Sequence, residues 1–142
     1  MTAIALTAAQ IGVVFPAQAE IYNVIAAAAI TKGQALYQTT AGTYGVAQAD
    51  TIAKRQFRGI ALEAASAGEA LSMLKRGVLA GYTLATYEDE VYLSDTAGAL
   101  DTAPGSLLVK CGRIISLADP ALTEVLYVEA DWSREWGSPG EV

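Results

Sequence analysis

Glu88-Asp89-Glu90 is the densest grouping of acid–base side chains in the sequence. Side chains alternate along a strand, so Glu88 and Glu90 share a face and Asp89 does not. A carboxylate pair that cleaves glycosides stands ~5–9.5 Å apart across a cleft, commonly with one raised pKa. Adjacent acids just ahead of a strand are more often a solvated turn, and that reading is preferred. Cys111, in the strand-like run Val109-Lys110-Cys111-Gly112, is the only cysteine, so no intrachain disulfide forms and the redox compartment stays open. The chain has no histidine. That removes the commonest general base and transition-metal ligand, excludes Ser–His catalysis, and leaves the thiol without its usual activator. Ser72 and Lys75 lie close enough in sequence for a Ser–Lys pair, but spacing alone does not make one.

Other motifs lead to no cofactor. Asp95-Thr96-Ala97-Gly98 with Asp101 is a distant version of a calcium loop and lacks its regular oxygen spacing. Met73-Leu74-Lys75 invites comparison with carrier domains that display a modifiable lysine at a hairpin tip, yet Lys75-Arg76-Gly77 reads as an ordinary charged turn. The glycine turns follow strands and lead into strands, not into helix N-termini, so they cradle no phosphate. No catalytic residue, metal site or cofactor is assigned.

What must position any site is a small β body. At 142 residues the chain is one domain, able to bury ~68% of its unfolded surface. Seven Tyr outnumber two Phe and two Trp, a bias that suits half-buried sheets and interfaces. A net charge of −6, with basic residues scattered and adjacent only at Lys54-Arg55 and Lys75-Arg76, argues against nucleic acid. Short strands separated by turn signals about every ten residues indicate a mainly β fold, a compact sandwich or barrel with little helix.

Ala35-Leu36-Tyr37-Gln38-Thr39 and Tyr44-Gly45-Val46-Ala47 form a hairpin across Ala41-Gly42. Residues 50–57 fit one or two helical turns capped by Asp50, or a loop. Gly59-Ile60-Ala61-Leu62 and Ala70-Leu71-Ser72-Met73-Leu74 flank the turn Ala67-Gly68-Glu69, and Lys75-Arg76-Gly77 turns again before Val78-Leu79-Ala80-Gly81-Tyr82. The second half echoes this order at an offset of about fifty-five residues. Thr96-Ala97-Gly98 answers Thr40-Ala41-Gly42, Gly112-Arg113-Ile114-Ile115 answers Gly59-Ile60-Ala61-Leu62, and Val125-Leu126-Tyr127-Val128 answers the strand from Ala70. Duplication and chance likeness among short glycine-punctuated strands both fit. The interior is expected to draw on Leu36, Val46, Ile60, Leu62, Leu71 and Met73, and on Val78, Val91, Leu93, Leu108, Ile114 and Val128.

The organisation expected is an arm over residues 1–30, a body over 31–131 and a tail over 132–142. The first 30 residues carry no Lys or Arg, and Gln10 and Pro16 interrupt the apolar run, which fits neither a signal peptide nor a membrane span. The chain is therefore read as unprocessed and soluble. Ile11-Gly12-Val13-Val14-Phe15 and Ile21-Tyr22-Asn23-Val24-Ile25 are β-prone. They form either two strands of the core or an extended arm that adds a strand to a neighbour. Trp132 and Trp136 either cover an open end of the barrel or anchor an oligomer interface, for which Tyr82 and Tyr87 are further candidates.

The stretch from Ile30-Thr31-Lys32-Gly33-Gln34-Ala35-Leu36-Tyr37 through Gly59-Ile60-Ala61-Leu62-Glu63-Ala64-Ala65-Ser66-Ala67-Gly68-Glu69 to Lys75-Arg76-Gly77-Val78 resembles tailed-bacteriophage head decoration proteins. These are cement or head-stabilising proteins, some with the fold of the lambda head decoration protein. Val91 to Leu100 resembles strand–turn units of phage structural proteins, and the likeness spans about residues 25–116. The resemblance implies a non-enzymatic virion protein that binds the capsid exterior, commonly as a trimer, and bridges major capsid subunits. It implies a partner-binding arm, here Ile11, Val13, Val14, Phe15, Ile21, Tyr22, Val24 and Ile25, so that deleting residues 1–20 would leave a folded body unable to bind capsids. It implies no nucleic-acid or membrane partner, and synthesis in the host cytoplasm. The alternatives are a tail or baseplate β-module, or a small hydrolase using Glu88 or Glu90.

Overall fold

A computed structural model describes residues 4–84, 88–117 and 124–133. It contains ten strands. They are β1 (Gly12–Val13), β2 (Glu20–Ile25), β3 (Ala35–Gln38), β4 (Tyr44–Val46), β5 (Phe57–Ala61), β6 (Ala70–Ala80), β7 (Glu90–Leu93), β8 (Leu100–Asp101), β9 (Lys110–Ile115) and β10 (Val125–Glu129). Among the described residues these strands pair antiparallel, and the main path runs β4-β3-β5-β6-β10-β9-β7-β8. Helical structure among the described residues is confined to short 3-10 turns.

Read inward from either end, the path repeats itself: the second strand of a hairpin, the first strand, then the third and fourth strands of that half. The halves meet where β6 pairs β10, with Leu126 opposite Leu79 and Val128 opposite Gly77. The echo in the sequence is thus a repeat of topology. Each hairpin turns on a glycine in the left-handed region, Gly42 at φ 89° and Gly98 at φ 73°, where an L side chain would be strained. The sheet curls into a half-barrel until its outer hairpins touch. The Gly98 N–H donates to the Ala47 carbonyl at 2.8 Å, and the Ala49 N–H donates to that of Ser94 at 3.0 Å.

Two hydrophobic cores lie on opposite faces of the first half. Leu74 and Leu79 of β6 enter the larger core with Ile60, Val91, Leu93, Ile114 and Leu126. Leu71 and Met73, on the other face of β6, join Leu36, Ala61, Val24 and Ile30 in the smaller one. Strands covered on both faces have no polar side to present. This is why Ala35-Leu36, Ile60-Ala61 and Met73-Leu74 are consecutive buried apolar residues and not alternating ones. Of the expected interior, Leu36, Ile60, Leu71, Met73, Val91, Leu93, Ile114 and Val128 are buried, whereas Val46, Leu62, Val78 and Leu108 are half-buried.

Two local expectations are corrected. Lys75-Arg76-Gly77 is not a turn, because β6 runs straight through it for 11 residues. The pairing with β2 skips from Glu20↔Arg76 to Ile21↔Leu74, so Lys75 is the extra residue of a β-bulge. Residues 50–57 hold a 3-10 turn, Ile52–Lys54, before β5 begins at Phe57, and its N-cap residue is Thr51 and not Asp50.

The N-terminal segment lies on the body of its own chain. β1 and β2 together occupy one edge of β6, since Leu79 pairs both Val13 and Leu126, and Leu74 pairs both Ile21 and Ile60. Before β1, the Ile4 N–H donates to the Leu100 carbonyl of β8 at 2.7 Å; after β2, the Ala27 N–H donates to the Tyr44 carbonyl of β4 at 2.7 Å. The segment therefore ties β6 to both ends of the sheet path.

Candidate functional site

The residues assigned to a partner-binding arm fall into two sets. Ile11 and Val24 are buried, each in a different core, and Val13 and Val14 are half-buried. Phe15, Ile21, Tyr22 and Ile25 are between 42% and 45% exposed. Among the described residues β2 pairs with β6 alone as a strand, so its other edge presents unpaired backbone groups. Ile21 and Ile25 project to one side of β2, while Tyr22 on the other side meets the Trp132 ring at 4.9 Å between centroids.

Trp132 is half-buried and packed against both cores, with its indole N–H donating to the Arg58 carbonyl at 2.9 Å. Lys75 Nζ lies 4.9 Å and the Arg58 guanidinium 5.5 Å from the ring centroid, within cation–π range. Tyr82 is not at the surface: it is buried in the larger core, where its hydroxyl donates to the Gly33 carbonyl at 2.7 Å. Tyr87 and Trp136, and the tail beyond Ser133, lie outside the described residues.

Beside Trp132 a cleft of about 720 Å3 opens on the outer face of the second half. It is bordered by Lys75 and Arg76 of β6, Lys110 and Arg113 of β9, Tyr127 and Glu129 of β10, and residues 130–133. Basic residues that look scattered in sequence are brought together here by three neighbouring strands. The signal was indirect. Lys110 and Arg113, three residues apart, would alternate to opposite faces of a regular strand; the irregularity that skips Cys111 in the pairing with β7 sets both away from the core, and strand order then sets them beside Lys75.

Glu88 and Glu90 do share a side, and both face Arg113, at 3.5 Å and 3.7 Å. Neither lines the cleft. Glu90 also pairs with Lys110 and accepts the Tyr92 hydroxyl at 2.9 Å. Hydrogen bonds from Lys110 and Tyr92, aided by the Lys110 and Arg113 charges, hold its carboxyl below the usual glutamate range. A general acid needs the opposite shift. We expect the Glu90 carboxyl, followed by 13C NMR, to titrate below an ordinary glutamate and to move up in Lys110→Met. Because the folded value is depressed, the pair's contribution is present above the unfolded value and lost as pH falls through the folded one. A midpoint at or above the ordinary value would remove this assignment.

The other candidate chemistry is occupied structurally. The Asp95 carboxylate accepts the Ser106 N–H at 2.8 Å and its hydroxyl at 2.7 Å, and buried Asp101 accepts the Ala103 N–H at 3.2 Å. No group of three metal-ligating residues occurs among the described residues. Cys111 is fully buried, and burial pushes its thiol well above the ordinary range. Lys75 sits mid-strand beside Glu20 at 3.3 Å, not at a hairpin tip, and no described helix is long and apolar enough to cross a membrane.

No protein-family model matches the chain, and no curated protein matches it. The fold and its surfaces therefore carry the functional argument.

Proposed function

We propose that this protein is a non-enzymatic structural component of a virion, which binds the exterior of a phage capsid, as a trimer, and bridges neighbouring major capsid subunits. The observation that carries the reading is the unpaired edge of β2, along one side of which Ile21 and Ile25 stand exposed on an otherwise acidic chain. An exposed edge of this kind is a template for strand addition, with backbone bonds giving affinity and alternate side chains giving specificity. The likeness of residues 25–116 to head decoration proteins supplies the kind of partner. A rigid sheet stabilised by its own N-terminal segment suits a part that must transmit load between neighbours, and several copies on one lattice gain avidity through effective concentration.

The test is incubation of undecorated tailed-phage capsids with the purified protein, followed by cryo-electron microscopy at the three-fold positions. Wild-type density is expected there, with occupancy at sub-saturating protein lowered about tenfold in Ile21→Asp/Ile25→Asp, a loss of ~1.4 kcal/mol per site. Both side chains are only 43% to 44% exposed and lie in the β2–β6 ladder, so the variant loses some stability and is compared at a temperature below its own measured unfolding midpoint. Absence of wild-type density, or full occupancy by the variant, rejects the reading. Concentration-dependent polymers in place of closed trimers would assign the chain to a tail or baseplate instead.

A further inference from the structure

We draw no further inference here: the strongest candidate, the cleft bordered by β6, β9 and β10 beside Trp132, carries nothing, because Lys75, Arg76, Lys110 and Arg113 are all ion-paired with Glu20, Glu129, Glu90 and Glu88 and nothing in the structure shows what covers it.

Discussion

Deletion of residues 1–25 is expected to abolish cooperative unfolding, and not to release a folded body from a loose arm. β1 contributes two register pairs to β6 and β2 contributes six, together covering one edge of the longest strand. Ile11, 3% exposed, and Val24, 8% exposed, are lost from the two cores at the same time. Full burial of each such side chain is worth ~1.5–3 kcal/mol, before any cavity term, against a total stability of ~5–15 kcal/mol for a domain. The uncovered β6 edge, running from Ala70 to Ala80, then becomes a template for pairing between chains. Urea titration by circular dichroism, with light scattering, checks this: the truncated chain should show no sigmoidal transition and should associate. A monomer with a normal transition would restore the free-arm picture. The point variants on exposed Ile21 and Ile25 are needed for the capsid test because the deletion confounds binding with folding.

Gly112→Ala is expected to be the most damaging single methyl addition in the described structure, costing about 3 kcal/mol or more. A Cβ built at Gly112 would overlap the Tyr127 carbonyl oxygen, a backbone atom of the paired strand that cannot rotate away. The equivalent position in the first half behaves alike but less severely. A Cβ at Gly59 would lie 2.5 Å from the Leu74 carbonyl oxygen, and we expect Gly59→Ala to cost ~1–3 kcal/mol. Gly12→Ala is the control, since nothing lies within 4 Å of its added Cβ and its φ is not positive. Denaturant midpoints measured at constant slope rank the three. Gly112→Ala within ~0.5 kcal/mol of wild type, the range of ordinary surface substitutions, would mean the β9–β10 contact is looser than described.

These glycines show how far pattern reading reached. Gly59 and Gly112 were aligned as members of an echo, which correctly paired β5 with β9, yet their shared reason is visible only once each faces a carbonyl of the next strand. Lys75-Arg76-Gly77 reads as a turn and is a bulge, because a charged pair followed by glycine serves equally for both. What decides between them is the partner on the far side, and β2 comes from fifty residues earlier in the chain. The residue type of Tyr82 suits an oligomer interface, but its buried partner, the Gly33 carbonyl, is 49 residues away in sequence and has no local signal.

By itself the sequence determined the class of the protein. Alternating short strands and turn glycines specify a mainly β body, because side-chain period and backbone handedness are local properties, whereas the repeat became distinguishable from chance likeness only in the strand order. It also determined that histidine-dependent chemistry is absent, because composition alone settles that. Tertiary structure decided everything that depends on which strand lies beside which. It turned an apparent arm into the cover of β6, divided its apolar residues into core and exposed sets, and gathered Lys75, Lys110 and Arg113 at one cleft with Trp132. The physical reason is that antiparallel pairing is non-local. The same alternating run can occupy a centre or an edge, and only the register of distant strands assigns its side chains to core, solvent or partner.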